Sequence, residues 1–232
     1  MSDSANENAR PADETGRALG ATNSGAKPTG TDFGVNHAEP RRVRTPSFDP
    51  YVRAGLQLIP LHRWDARDAR GRQRGKSPRD GAWQVREYDS ADVAAAAGRD
   101  NTNVGVRVPA SVVVLDVDPR NFGEGDSLLS LQLDTGLDLT GVPRTATGSG
   151  GAHYWFSKPT DVRLVDSLPE YPGVEFKSLG RQVVAAGSIH PNGRHYEWDG
   201  EADLRDLPPL PDAVARLARR PVTSHGDAAG LG

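Results

Sequence analysis

The sequence of 232 residues contains no cysteine, which excludes disulfide bonds and every zinc or iron–sulfur site that needs thiolate ligands. Apolar residues make up only 36% of the chain, and no apolar run approaches the roughly 20 residues that a transmembrane helix needs. The N-terminus also lacks the apolar core of a signal peptide. These absences predict a cytoplasmic protein that makes no contact with a membrane.

A strong net charge is absent as well, because 28 basic residues are offset by 31 acidic ones. The resulting charge of -3 argues against a protein that coats nucleic acid over its whole surface. Chain breakers are abundant instead, with 26 glycines and 18 prolines. The polar residues 1–46 predict a disordered tail, residues 47–219 predict one folded domain, and residues 220–232 predict a second disordered tail.

The most informative stretch, residues 111–119, is an apolar, β-branched run that ends in two carboxylates and a proline. Side chains alternate along a strand, so Asp116 and Asp118 point to one face and Val117 points to the other. Pro119 cannot donate to a ladder and ends the strand. Two carboxylates this close repel each other unless a cation lies between them, which favours a divalent metal ion. A solvated strand end is the simpler alternative.

Residues 63–79 form a basic stretch with seven Arg or Lys residues and only two Asp residues. Gly71, Gly75 and Pro78 indicate that the stretch is a loop. The charge predicts contacts with the phosphates of a nucleic acid or a triphosphate, although a solvated arginine-rich loop is the alternative. The candidate contacts to nucleic acid are Arg70, Arg72, Arg74, Lys76 and Arg79. A P-loop is excluded, because position 70 is arginine where the first glycine of that motif is required.

A glycine-rich turn at residues 147–151 runs into an aromatic strand whose first polar side chain is His153. Glycines let a backbone approach a phosphate and direct N–H groups toward it, so Ser149, Gly150 and Gly151 are candidate phosphate donors. His153, directly after this turn, is well positioned to bind an anion or to transfer a proton. A buried structural histidine is the alternative interpretation.

Two later segments add further polar side chains at strand ends. Residues 173–177 alternate cleanly, so Glu175 and Lys177 share a face that is either solvated or part of a site. A strand at 182–186 leads into a turn that contains Ser188 and His190, and residues 194–198 predict its hairpin partner. A second hairpin is predicted between the strand at 103–108 and the strand that ends at Asp118.

The order of these features resembles the N-terminal domain of bifunctional DNA primase/polymerases (prim-pol), in the archaeo-eukaryotic primase superfamily. The first motif of that family is an apolar strand ending in Asp-x-Asp, which matches residues 115–118. The second is a small residue, any residue and then histidine, which matches residues 151–153. The third is an apolar residue followed by an acid, which matches residues 174–175. The similarity covers roughly residues 48–218.

Supporting positions also match, with a few departures. Lys76 and Pro78 are similar to an early Lys-x-Pro element of the family, although Ala82 replaces the glycine that follows it. Glu175 stands where relatives more often carry aspartate, and residues 186–187 stand where relatives often carry prolines. None of these departures removes a metal ligand.

The resemblance implies an α+β fold, a primase-polymerase core in which a central, mainly antiparallel, RRM-like sheet packs against an N-terminal α/β unit. It implies a template-dependent nucleotidyltransferase that joins NTPs or dNTPs on single-stranded DNA in a plasmid, phage or mobile-element replication system. Asp116, Asp118 and Glu175 would hold two Mg²⁺ or Mn²⁺ ions, and with His153 they would be the catalytic residues. The implied contacts to the nucleotide are Lys76, Ser149, Gly150, Gly151, His153, Lys177, Ser188 and His190. A separately encoded helicase is a candidate partner.

Other function classes stay open at this point. A non-catalytic module on the same scaffold, acting in replication initiation, would bind single-stranded DNA without incorporating nucleotides. A metal-dependent nuclease or phosphatase built on Asp-x-Asp would release nucleotides from DNA rather than extend a primer. For a structural or interaction protein, the sequence offers only the two tails.

Overall fold

The computed structural model describes residues 47–200 and 203–220. The predicted tails, 1–46 and 220–232, lie outside the described residues except for Arg220. Within the described part of the chain, no helix is both long and apolar enough to span a bilayer. The helices and strands are α1 (Asp49–Arg53), β1 (Gln57–Pro60), α2 (Ser90–Asp100), β2 (Val104–Arg107), β3 (Val112–Val117), α3 (Ser127–Thr135), β4 (Arg144–Ala146), β5 (Ala152–Ser157), β6 (Val174–Lys177), β7 (Gln182–Val184), β8 (Glu197–Asp199) and α4 (Asp212–Leu217).

The strands form two antiparallel sheets. The smaller sheet has the order β1-β2-β7, and the larger sheet has the order β6-β3-β5-β4-β8. Helices α1 and α2 pack against the smaller sheet. The predicted α+β class is therefore confirmed, while the relation of the larger sheet to the RRM fold stays a prediction. The smaller sheet is not purely N-terminal, because its third strand comes from residues 182–184.

Side-chain carboxylates set the beginnings of the two longer helices. Asp89 accepts hydrogen bonds from the backbone N–H groups of Ala91 and Asp92 at 2.8 and 3.0 Å, and α2 starts there. Asp126 caps α3 in the same way. Each aspartate satisfies two N–H groups that have no partner inside the helix, which fixes the first turn.

Strand β3 is apolar on both faces because it lies between two cores. Val112 and Val114 face the smaller sheet and share a core with Trp155. Val113 and Leu115 face the other way, into a core covered by α3 and α4. Val117 belongs to this second core as predicted, whereas Asp116 follows the first face and reaches a cleft lined by residues of both sheets.

The predicted hairpin between the strands at 103–108 and 112–117 is wrong. Strand β2 pairs with β1 and β7, whereas β3 pairs with β5 and β6, so the short connection at 109–111 crosses from one sheet to the other. Each strand is buried and needs neighbours on both edges, and those neighbours come from distant parts of the chain. The other predicted hairpin forms only around residues 187–196, after which β8 pairs with β4.

Candidate functional site

Three neighbouring strands of the larger sheet each place one polar side chain in a single row. Two of these side chains are acids, and the third is a histidine. Asp116 on β3 lies directly opposite His153 on β5 and directly opposite Glu175 on β6. Residues opposite each other in an antiparallel ladder project from the same face of the sheet. The three side chains therefore face the cleft together.

Asp118 lies just beyond β3 and forms the edge of the cleft. Its N–H donates to the carbonyl of Gly173 at 2.8 Å. The guanidinium of Arg120 donates to both carboxylate oxygens, from Nε at 2.9 Å and from a terminal nitrogen at 2.7 Å. The Nδ2 of Asn121 donates to the same carboxylate at 3.2 Å. The hydrogen bonds with Arg120 hold the pKa of Asp118 below its usual range, so this carboxylate is ionised at neutral pH.

The other two acids also have cationic partners. The ammonium of Lys177 contacts the carboxylate of Glu175 and lies 4.0 Å from Oδ2 of Asp116. The Nε2 of His153 lies 3.5 Å from Oδ1 of Asp116. His153 is buried, and its burial lowers the pKa of the imidazole against the opposing effect of Asp116. The histidine is therefore neutral at neutral pH, and a neutral ring has one donor nitrogen and one acceptor nitrogen.

The cleft has a volume of about 220 Å³ and combines these acids with residues from four other segments. Lys76 lines it from the basic loop, 40 positions before Asp116 in the chain. Although Lys76 is exposed as a residue, burial of its ammonium is the main cause that lowers its pKa, and the charges of Asp116 and Asp118 oppose that effect. The further polar lining residues are Asn121, Thr147, Ser149, Gln182 and Tyr196.

The glycine turn is shaped by close packing rather than by open N–H groups. A Cβ at Gly151 would lie 2.1 Å from the carbonyl oxygen of Val117, so only glycine fits where β5 begins beside β3. The N–H of Gly151 donates to Oγ1 of Thr147, and the N–H of Gly150 donates to its carbonyl. Of the three predicted phosphate donors in this turn, Ser149 is the residue that lines the cleft.

Ser188 and His190 do not line the cleft. The hydroxyl of buried Ser188 accepts from the N–H of Val104 at 3.0 Å and donates to its carbonyl at 3.2 Å. The Nδ1 of His190 accepts from the N–H of Asn192 at 3.2 Å. Asn192 in turn donates to the carbonyl of Gly148 at 2.8 Å, which ties this hairpin to the glycine turn.

The predicted nucleic-acid contacts divide into separate places. Arg70 and Arg72 are exposed at the tip of the basic loop, where Asp68 pairs with Arg72 at 2.7 Å. Arg74 points back to His62, with a distance of 3.2 Å between the two side-chain nitrogens. Arg79 lines a second cavity of about 370 Å³. Lys76 is thus the residue of this set that reaches the cleft with the acids.

The sequence did not predict four polar residues that line the cleft, Asn121, Thr147, Gln182 and Tyr196, or the pairing of Arg120 with Asp118. Arg120 and Asn121 follow the Asp-x-Asp motif directly, and this adjacency was the available signal. Tyr196 is buried, and its ring centroid lies 6.0 Å from that of His153 and 5.9 Å from that of His190. Burial raises the pKa of the Tyr196 hydroxyl, which therefore stays protonated beside the acids. No local pattern marked Tyr196, because its place depends on the pairing of distant strands.

The three acids fit a hard divalent cation by their chemistry, because carboxylate oxygens are the ligands that Mg²⁺ and Mn²⁺ prefer. All three line one cleft. Within residues 47–200 and 203–220, however, no group of three or more His, Asp or Glu side chains converges as metal ligands. Arg120 and Lys177 instead hold the carboxylates of Asp118 and Glu175. A bound metal ion would replace the side chains of Arg120 and Lys177 as the partner of these carboxylates.

Comparison with models of protein families identifies a match over most of the chain. The family model described as bifunctional DNA primase/polymerase, N-terminal (Prim-Pol), matches residues 49–213. No curated protein matches the chain. The matched range covers well over half of the 232 residues and includes both sheets and every residue of the cleft. The chain therefore belongs to the Prim-Pol family of bifunctional DNA primase/polymerase N-terminal domains.

Proposed function

We propose that this domain is a template-dependent nucleotidyltransferase that joins NTPs or dNTPs on single-stranded DNA, in the replication system of a plasmid, phage or mobile element. The observation that supports it most is the row of Asp116, His153 and Glu175 across three strands. This row faces a cleft that also contains Lys76 and Lys177. A cleft that contains both acids and cations suits a reaction between two anions, the nucleoside triphosphate and the primer strand.

In this reaction the 3′-hydroxyl oxygen of a primer forms a bond to the α-phosphorus of the nucleotide, and pyrophosphate leaves. Catalysis then consists mainly of positioning and of charge stabilisation, because the protein contributes little covalent chemistry. Asp116, Asp118 and Glu175 would hold two Mg²⁺ or Mn²⁺ ions, which supply charge neutralisation at the attacking and leaving oxygens when bound.

The other residues of the cleft bind and orient the triphosphate. His153 donates a hydrogen bond from Nε2 to a phosphate oxygen, since this nitrogen already faces Asp116 in the cleft. Lys76 and Lys177 add positive charge to the same cleft. The hydroxyl of Ser149 is a further donor at the glycine turn. Charge-assisted hydrogen bonds of this kind are shorter and stronger than neutral ones.

The basic loop guides the template. Arg70 and Arg72 at its exposed tip contact the phosphate backbone, although the pairing of Arg72 with Asp68 reduces its contribution. Contacts to phosphates release counterions, so we expect the affinity for single-stranded DNA to fall as the salt concentration rises. A separately encoded helicase stays a predicted partner.

A non-catalytic module that binds single-stranded DNA is the second candidate function. The observation that favours it is the pairing of Asp118 with Arg120 and of Glu175 with Lys177, which leaves no group of three metal ligands among the described residues. In that case the cations and acids would stabilise the fold, and the basic loop alone would bind DNA.

One experiment separates the candidates. Nucleotide incorporation is measured on a single-stranded template with and without a primer, using NTPs and dNTPs in Mg²⁺ or Mn²⁺, beside filter binding to the same DNA. The proposal predicts template-dependent incorporation together with binding. Binding without incorporation would support the second candidate, and release of nucleotides from the DNA would indicate a nuclease; either result would refute the proposal.

A further inference from the structure

Lys76 brings a cation without an ion-pair partner into the cleft. The two neighbouring cations, Arg120 and Lys177, are paired with Asp118 and Glu175. Among the described residues, no carboxylate lies within 4.0 Å of the Lys76 ammonium, although this group is partly withdrawn from water. A charge in such surroundings lacks full compensation, so the position favours an anion that comes from outside the chain.

The backbone around Lys76 is held at two successive carbonyl groups, each by a different strand region. The Nδ2 of buried Asn103 donates to the carbonyl of Gly75 at 2.8 Å. The Nε2 of Gln182 donates to the carbonyl of Lys76 at 3.0 Å. A Cβ at Gly75 would lie 2.3 Å from the carbonyl oxygen of Trp64, so the two sides of the basic loop touch at this point. The backbone from which the Lys76 side chain enters the cleft is therefore fixed.

The side chain of Gln182 is placed for this contact. Gln182 on β7 lies directly opposite Arg107 on β2, and its amide lies against Gly105, where a Cβ would be 2.7 Å from Oε1. Among the described residues, the bond to Lys76 is the only hydrogen bond of this amide, and Oε1 is buried without a partner. A buried acceptor without a partner costs free energy that an apolar side chain would not. The amide therefore serves the contact with Lys76.

The basic loop thus has two parts with different surroundings. At its tip, Arg70 and Arg72 are exposed and lie outside the cleft. Near its base, Lys76 lines the cleft beside the acids. Exposed side chains at a tip suit a long polyanionic strand, whereas a cation on a fixed backbone suits a ligand that occupies the cleft itself.

We propose that Gln182 is a positioning residue that holds Lys76 so that its ammonium contacts the triphosphate of the incoming nucleotide rather than the DNA backbone. This inference rests on the proposed function, because it assigns the ligand of one cation in the same cleft. The triphosphate is the anion that the unpaired ammonium lacks. A side chain whose backbone is already fixed loses less conformational freedom on binding, so the bond from Gln182 increases the affinity for the nucleotide without touching it.

The test compares two affinities of the full chain, for dATP with Mg²⁺ by titration calorimetry and for a labelled single-stranded oligonucleotide by fluorescence anisotropy. Lys76→Met should raise the dissociation constant for dATP at least about tenfold, as expected for the loss of a hydrogen bond to a charged group. Gln182→Met should raise it about three- to fivefold, as expected for a neutral hydrogen bond, and should leave the affinity for the oligonucleotide unchanged. An unchanged affinity for dATP in either variant would overturn the proposal, as would an equal loss of both affinities in Gln182→Met.

The double variant Lys76→Met/Gln182→Met separates positioning from a general structural role. It should bind dATP no more weakly than Lys76→Met, whereas a further three- to fivefold loss would show that Gln182 does not act through Lys76. Gln57→Met is the matched control, because Gln57 lies in the same row of the smaller sheet and its Nε2 donates to the carbonyl of Tyr88, outside the cleft. This control should bind dATP like the wild-type chain, and a loss equal to that of Gln182→Met would overturn the proposal.

Hydrogen exchange tests the anchor without any nucleotide. Gln182→Met should speed the amide exchange of residues 74–79, and unchanged exchange would refute the anchor whatever the cleft binds. If Gln182→Met does not fold, Gln182→Asn replaces it with the same expectations, because its amide is one methylene too short to reach Lys76. A chain that shows this pattern of dATP binding but incorporates no nucleotide would refute the proposed function and support this inference.

Discussion

Replacing Gly151 by alanine tests the close approach on which the row of site residues depends. The Cβ of an alanine at this position would lie 2.1 Å from the carbonyl oxygen of Val117, and it would meet the Cα of Asp118 at 3.3 Å. Real Cβ atoms essentially never come closer than 3.0 Å, so β3 and β5 must separate locally by about 0.9 Å. The clash is with backbone, which cannot rotate away as a side chain can.

The carbonyl that would be displaced belongs to Val117, which pairs with Ala152. This pair is next to the pair of Asp116 and His153, so the displacement falls beside the site. A misplacement of about 1 Å can lower the rate of a positioned reaction about a hundredfold, so we expect Gly151→Ala to lose at least that much extension activity. Overpacking should also lower the free energy of unfolding by about 1–3 kcal/mol. Urea unfolding and primer extension, measured on the same preparation, provide both numbers.

Gly98→Ala is the matched control, because its Cβ would meet nothing within 4 Å on the surface of α2. Alanine is the better helix former, so this variant should be more stable than wild type by about 1 kcal/mol and fully active. If Gly151→Ala extends primers normally and unfolds like the wild-type chain, the packing argument for the glycine turn is refuted.

Two other predictions concern stability. The amide of buried Asn103 donates to the carbonyls of Gly75 and Ile189 and accepts from the N–H of Ile189. Asn103→Ala should therefore lower the free energy of unfolding by about 2–4 kcal/mol, and an effect below about 0.5 kcal/mol would contradict this. Burial lowers the pKa of His62, His153 and His190 below the usual 6.5, so the unfolded chain binds protons first. The free energy of unfolding should therefore be highest above about pH 6.5 and should fall below that pH. Equal urea unfolding at pH 7.5 and pH 5.5 would show that the pKa values of these histidines are not lowered in the folded chain.

The local features of the site could be predicted because they depend on strand alternation. The pattern around Asp116 placed Val117 in the opposite core, and the structure confirms this. The pairing of strands could not be predicted in the same way, since alternation shows which face a residue takes but not which strand lies beside it. The hairpin of β2 and β3 was predicted wrongly for this reason.

The partners of the acids were hidden for a different reason. Arg120 is a neighbour in sequence, but its bidentate contact depends on the 3₁₀ turn that follows Asp118. Tyr196 lies 43 positions after His153 in the chain, and it reaches the cleft only through the pairing of distant segments. Side chains that meet through tertiary pairing leave no local pattern in the sequence.

The central claim is that Asp116 belongs to a nucleotidyl-transfer site, and single-nucleotide incorporation on a primed single-stranded template tests it most directly. Asp116→Asn is compared with Asp203→Asn, which changes an exposed aspartate paired with Arg205. We predict that Asp116→Asn loses at least about a hundredfold in rate while its unfolding curve stays cooperative, and that Asp203→Asn incorporates like wild type. Incorporation by folded Asp116→Asn at the wild-type rate would contradict the account.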